Sequence, residues 1–296
     1  MSGWVAFTLL AALMQAVRTA GQKKLSSDIS PMGSTFVRYA FGLPFVAVYL
    51  LYIAGEHSQA HIALAVQNPR FLLFATLASI GQIIATFLLV KVFSFRNFAV
   101  GTSLAKTEAV QAAVLATVFF ASPLSAMGWL AVLIGFVGIF ILSKPGYNQT
   151  WNIQSVSWGL LSGTAFALTS LWLREASLSL NTGVLTSAAV TLFIMVCFQT
   201  VLCVVYLYAL ERDQFSGIRK QLRLASFVGL TSALGSVGWF TAMTWENPAL
   251  VKSLGQIEIV FTLLLTTMLF GERVTVREYA GVLIIIASVL LLLLLK

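Results

Sequence analysis

The chain has 296 residues, 59% of them hydrophobic and only 9% charged. A soluble domain carries roughly 25% charged residues, and no water-soluble fold of this length has a core able to hide so much apolar surface. The net charge of +8 would suggest nucleic acid in a soluble chain, but here the bases cluster in short loops between apolar runs, where the excess of cytoplasmic Lys and Arg explains them.

Taken in chain order, ten apolar runs are each long enough for a helix across a bilayer, which needs about 20 residues. They fall at roughly 3–20, 32–54, 70–92, 97–120, 124–143, 154–174, 184–210, 223–245, 248–270 and 274–295. Turn and charge signals separate them: Lys23-Lys24 with Pro31, Gly55-Glu56-His57, Arg96-Asn97, Ser122-Pro123, Lys144-Pro145-Gly146, Arg174-Glu175, Glu211-Arg212-Asp213, Asn247-Pro248 and Gly271-Glu272-Arg273. The first run has no basic residue before it and no small-residue cleavage site, so it reads as a retained span. Cys197 and Cys203 share one apolar run, point in different directions and read as small core residues.

Odd-numbered loops hold Lys23, Lys24, Lys91, Arg96, Lys144, Arg212, Arg219, Lys220, Arg223, Arg273 and Arg277, whereas even-numbered loops and the C-terminus hold Arg70, Arg174 and Lys296. This asymmetry puts the odd loops in the cytoplasm and both termini outside.

An internal repeat organises the chain. Asn97–Glu108 reads NFAVGTSLAKTE and Asn247–Glu258 reads NPALVKSLGQIE. At a constant offset of 150 residues, Asn97, Ala99, Ser103, Leu104 and Glu108 fall on Asn247, Ala249, Ser253, Leu254 and Glu258. The repeat divides the chain into five-span halves, 1–148 and 149–296. Five is odd, so the second half must cross the membrane upside down; the loop charges agree, since the 2–3 loop is poor in bases and the 7–8 loop rich in them. The expectation is an all-α protein of ten transmembrane helices in two inverted repeats, with a central site opening alternately to each side.

Charged side chains inside apolar runs are expensive against lipid, ~3 to over 10 kcal/mol at the bilayer centre. Lys106 and Glu108 lie about ten residues into span 4, ~15 Å deep in a continuous helix, and diverge by ~200° around it, too far for a direct bridge. Glu108 and Glu258 are candidate coupling carboxylates or, equally, structural pillars of the repeat. Lys106 is a candidate anion holder. In span 9, Lys252 and Gln256 share a face; Lys252 lies one turn in, where it can contact substrate or snorkel to the surface. Arg38, seven residues into span 2, suits bidentate capture of a carboxylate or phosphate, or a clamp onto backbone carbonyls, Glu108 or Glu258. Arg18 reads as an interfacial anchor. Gln82 and Thr86, Gln15, Ser103, Ser253 and Trp239 are further cavity candidates, with Trp172 near a helix end. For any single Trp, core packing is the plainer reading. Gly135/Gly138 and Gly159/Gly163 are read as close-approach pairs between helices. The intramembrane cations Arg38, Lys106 and Lys252 outnumber the two carboxylates, which favours cargo with an anionic group.

His57 and His61, with Glu56 nearby, read as a solvated loop rather than a metal site. No nucleotide-binding glycine loop or nucleophile elbow is present in the sequence. No cofactor and no enzymatic activity are expected.

The residues resemble the drug/metabolite transporter superfamily, specifically its EamA-type ten-span members. The resemblance covers essentially the whole chain and is strongest in SLGQIEIVFTLLLTTMLFGERVTVREYAGVLIIIASVLLL, with the carboxylate Glu258, the Gly271-Glu272 turn, Thr275 as a helix start and Gly281. Arg38 also sits where such proteins often carry arginine. Ala121-Ser122 departs from the pattern, replacing Gly-Glu at the equivalent turn of the first half. The resemblance implies transport and leaves the cargo open among amino acids, sugars, nucleotide sugars, phosphorylated metabolites and cationic drugs.

The combined expectation is a secondary transporter in a bacterial inner membrane. It exports a small polar metabolite such as an amino acid through a midplane cavity walled by spans 3, 4, 8 and 9, with spans 1, 2, 6 and 7 contributing. Candidate substrate contacts are Arg38, Gln82, Ser103, Lys106, Trp239, Lys252, Ser253 and Gln256. Its partners are a small molecule, the lipid bilayer and, for coupling, a proton; a self-sufficient monomer fits two halves in one chain. The alternatives are a quaternary-ammonium exporter and an uncoupled facilitator or exchanger.

Overall fold

The computed structural model describes residues 3–93, 104–120, 123–143, 153–270 and 275–294. Among these, every regular element is helical. The helices are α1 (Gly3–Leu25), α2 (Pro31–Ala40), α3 (Leu43–Ala54), α4 (Ser58–Gln67), α5 (Pro69–Val92), α6 (Glu108–Phe119), α7 (Ala126–Ser143), α8 (Ile153–Ser179), α9 (Val184–Leu210), α10 (Gln214–Lys220), α11 (Leu222–Trp245), α12 (Pro248–Gly255), α13 (Glu258–Phe270) and α14 (Val276–Leu294), with one 3-10 turn at Gly55–His57. Eight stretches are long and apolar enough to cross a membrane; α6 and α7 are apolar but shorter. Large apolar side chains cover the outside, among them Val48 (65% exposed), Val205 (60%) and Leu283 (64%). A soluble protein does not carry such a continuous apolar surface; this one is a multi-pass membrane protein.

The starts of three helices follow directly from sequence. Ser30, Asn68 and Asn247 each precede a proline and cap the helix that begins there. The Ser30 Oγ accepts from Gly33 N at 3.0 Å, the Asn68 Oδ1 from Arg70 N and Phe71 N at 3.0 and 3.1 Å, and the Asn247 Oδ1 from Ala249 N at 2.9 Å. Proline fits there because the first helical N–H has no intrahelical acceptor to lose.

Three helix pairs pack most extensively: α5 with α8, α1 with α11, and α7 with α14. At one membrane face Asn68 donates to the Ser179 carbonyl (2.9 Å), Arg70 meets Glu175 (2.6 Å), and Arg174 clamps the carbonyls of Met243 (2.7 Å) and Glu246. The start of α1 packs there too, against Trp245. Helices α1 and α5 therefore leave this face, whereas α8 and α11 arrive at it. At the opposite face Ser30 meets Gln214 and Glu211, and Gln221 meets Asp28. That face carries Lys23, Lys24, Arg212, Arg219, Lys220 and Arg223, against Arg70 and Arg174 on the first.

Several expectations are corrected. Span 2 is interrupted between Ala40 and Leu43, because Pro44 lacks the N–H that would bond the Ala40 carbonyl. The stretch around His57 and His61, read as a loop, contains the turn Gly55–His57 and the helix α4, which carries His61. Among the described residues no group of three metal-ligating side chains forms. Spans 4 and 9 are also interrupted, as described below. The turns expected at Arg96-Asn97, Lys144-Pro145-Gly146 and Gly271-Glu272-Arg273, with Ala121-Ser122, lie outside the described residues.

Small residues let the helices approach, as expected for helix contacts in lipid. Gly138 faces the Gly281 carbonyl, and Gly163 the Ala105 carbonyl. Between α1 and α11 the approach is close at Gly238, where a Cβ would stand 2.5 Å from the Phe7 carbonyl oxygen and 2.8 Å from the Ala11 Cβ. Gly238→Ala must push α1 off α11, at a cost of ~1–3 kcal/mol. Its thermal midpoint in detergent should fall, while Gly183→Ala, with nothing within 4 Å of its added methyl, should leave the midpoint unchanged.

Candidate functional site

The repeated phrases end in paired helix breaks. Thr107 N bonds the Leu104 carbonyl at 3.1 Å, and Ile257 N bonds the Leu254 carbonyl at 3.2 Å, both i to i+3. Regular i to i+4 bonding resumes at Gln111 N to Thr107 O (3.1 Å) and Phe261 N to Ile257 O (3.2 Å). The same bonds thus recur at the 150-residue offset. Glu108 and Glu258 become the first residues of α6 and α13. There the unpaired N–H groups and the helix dipole favour a carboxylate by ~0.3–1 kcal/mol.

Each carboxylate takes its lysine from the other repeat. Lys252 Nζ stands 3.1 Å from Glu108 Oε2, and Lys106 Nζ pairs with Glu258 Oε2. All four side chains are buried or nearly so, with Lys106 the most exposed at 17%. Gln15 of α1 donates to Glu258 Oε2 at 2.6 Å and accepts from Trp239 Nε1 at 2.8 Å. Lys252 Nζ lies 4.5 Å from the Trp239 ring centroid and 5.5 Å from that of Phe166. Trp239 reaches this position by packing over Gly255, where a Cβ would collide with its ring. The result is one connected cluster of Lys106, Glu108, Lys252, Glu258, Gln15 and Trp239.

Lys252 therefore does not snorkel: its partner is buried, and the ammonium follows it. Lys106 and Glu108 do not bridge each other, as expected. The interruption at 106–107, rather than helical divergence alone, sends them to different partners. Gln256 lies apart from the lysines. Its Oε1 occupies the space where Gly135 has no Cβ, near Ser288, and neither polar atom of its buried amide finds a partner in the structure. The Ser253 Oγ is likewise buried without a partner. Ser103 lies outside the described residues.

A second polar group lies around the interruption of span 2. Arg38 Nη1 donates to Thr86 Oγ1 at 2.6 Å. Gln82 Oε1 accepts from Gln199 Nε2 at 2.8 Å. Arg38, Tyr39, Gly42, Val46, Val196, Ser232, Ala233 and Ser236 line a void of about 10 Å³, room for one water. Arg18, read from sequence as an interfacial anchor, is 3% exposed, within electrostatic reach of Arg38, Glu258 and Glu108. Sequence reasoning passed over Gln199, Ser232 and Ser236. For Gln199 the signal was present, as a lone amide in the apolar run of α9.

Removing one partner of a buried ion pair strands the other, at ~3–5 kcal/mol. Glu108→Gln should therefore lower the thermal midpoint strongly, and Glu108→Gln with Lys252→Met should recover much of the loss. Additive losses in a double-mutant cycle would show that the pair is not coupled.

A family model described as the EamA-like transporter family matches residues 2–144 and again 153–294. No curated protein matches the chain. A solved structure described only as "Crystal structure of protein" superposes with a TM-score of 0.75 at 12% identity, covering 100% of this chain and 98% of that one; at that identity it shows a shared fold. With both halves matched and the break repeated in each, the chain belongs to the EamA-like transporter family, within the drug/metabolite transporter superfamily.

Proposed function

We propose that this chain is a secondary transporter that moves a small polar metabolite with an anionic group, an amino acid first among them, outward across a bacterial inner membrane by alternating access. The observation that carries the reading is the pair of broken helices with ion pairs exchanged between repeats. Interrupted helices near mid-membrane are how transporters expose helix ends to cargo and ions.

The ten-span, inverted five-plus-five arrangement is part of this proposal. It is supported by the opposed directions of α1 and α5 against α8 and α11. It is supported too by the packing: if α1 corresponds to α8 and α5 to α11, then the α1–α11 and α5–α8 contacts are one interface seen twice. The basic face is assigned to the cytoplasm and both termini to the outside. The two halves rock about the interface where α6 meets α12, and the cross-repeat ion pairs part and reform as they do so. Candidate cargo contacts remain Arg38, Gln82, Ser103, Lys106, Trp239, Lys252, Ser253 and Gln256, with proton coupling assigned to Glu108 or Glu258. Export of cationic drugs is less favoured, because both buried carboxylates are already committed to lysines.

The test is uptake into proteoliposomes of labelled amino acids, sugar phosphates and quaternary ammonium compounds, with and without a pH gradient. Amino acids should accumulate when the gradient is imposed. Lys252→Gln should slow their initial rate by about 10- to 100-fold, equivalent to ~1.4–3 kcal/mol. Gradient-independent equilibration would make the protein a facilitator, and accumulation of quaternary ammonium alone would replace the cargo assignment.

A further inference from the structure

Among the described residues the buried charges do not balance, and the imbalance has a location. Lys106 and Lys252 are matched by Glu258 and Glu108. Arg18 and Arg38 are also buried, at 3% and 4% exposed, and neither has a carboxylate partner among the described residues. A buried guanidinium without a counter-ion costs several kcal/mol. An anionic ligand bound beside it would offset that cost.

Arg38 also lacks the bonding of a structural clamp. Arg174 shows what a clamp looks like here, with one nitrogen holding two backbone carbonyls. The Arg38 guanidinium has five N–H donors and uses one nitrogen on Thr86. The void beside it is lined by Ser232 and Ser236, four residues apart on one face of α11, and by Tyr39. The Ser232 Oγ is buried without a hydrogen-bond partner. The Arg18 Nε is in the same condition, and Arg18 lies within electrostatic reach of Arg38 and Tyr39. The Ser232 hydroxyl is thus buried without compensation on a void that it shares with a guanidinium having donors to spare.

We infer that Arg38, with Ser232, Ser236 and Tyr39, is the point at which the chain holds the carboxylate of its cargo. The inference rests on the transporter reading and adds to it a site separate from the Lys–Glu cluster. A guanidinium fork takes the two oxygens of one carboxylate, and the hydroxyls supply the remaining donors. As it stands the void has room for one water, less than a carboxylate needs. Entry requires the walls to part. Gly42 and Val46 line the void and flank the interruption made by Pro44, so the pocket lies on the segment of span 2 whose backbone is already broken.

The test is binding rather than flux, so it can fail while transport stands, and transport can fail while it stands. The full chain in nanodiscs is titrated with acetate and with acetamide, its neutral counterpart of the same shape, and the thermal midpoint is followed. Acetate should raise the midpoint saturably and acetamide should not. Arg38→Gln should weaken the acetate effect about tenfold or more, and Ser232→Ala, which removes one hydroxyl and little volume, by about three- to tenfold. Ser232→Ala keeps the test decisive if Arg38→Gln does not fold. Equal effects of acetate and acetamide, or an acetate effect unchanged in Ser232→Ala, would overturn the assignment. Chloride at the same ionic strength is the remaining arm: protection as strong as that by acetate would make this a halide site and overturn its assignment to cargo.

Discussion

Charge inside a membrane is costly unless it is matched, and in this protein both buried glutamates are matched across the two halves of the chain. Each buried glutamate begins a half-helix and is neutralised by a lysine from the other repeat. Neither half can be complete alone, because each would leave a carboxylate and an ammonium stranded in a low-dielectric interior. The breaks at 106–107 and 256–257 follow from the same constraint. A carboxylate at a helix start gains the free N–H groups and the dipole, which a mid-helix carboxylate lacks. The small residues Gly238, Gly255 and Gly163 then set how closely the surrounding helices can gather around the cluster.

The cluster is held on several sides. Gln15 of α1 bridges Glu258 to Trp239 of α11, and Trp239 lies against Lys252 of α12. Any movement of α12 against α6 must therefore be felt by α1 and α11, the most closely packed of the cross-repeat pairs alongside α5 and α8. This wiring is a physical route by which the proposed rocking would pass from a broken helix to whole helices, since ion pairs and packed aromatics have discrete arrangements rather than a continuum. Arg18, buried on α1, lies within electrostatic reach of Glu258 and Glu108 on one hand and of Arg38 and Tyr39 on the other.

Much of this was legible in the sequence. The duplicated phrase located Glu108 and Glu258, the composition required a membrane, and Pro31 and Asn247-Pro248 marked real helix starts. The breaks were not legible, because neither carries a proline and the periodicity was read as one continuous helix through Lys106 and Gln256. Reading span 9 as continuous made Lys252 look shallow enough to snorkel and put Gln256 on its face. The interruption of span 2 had a visible cause in Pro44 that hydropathy alone passes over. Arg18 was misjudged because its distance along a helix says nothing of which neighbours cover it. Ser232 and Ser236 look like ordinary small residues until the void beside Arg38 gives them a common face.

Under the proposed alternating access, the paired breaks open to each side of the membrane in turn. Ser253 is wholly buried beside the second break, and Ser253→Cys is nearly isosteric. In a chain with Cys197 and Cys203 replaced by alanine, labelling of this cysteine by a membrane-impermeant thiol reagent, applied separately from each side, reads that opening directly. Alternating access predicts labelling from both sides, with the proposed amino-acid cargo shifting the balance between them. Labelling from one side only, or protection from both whatever cargo is present, would contradict it.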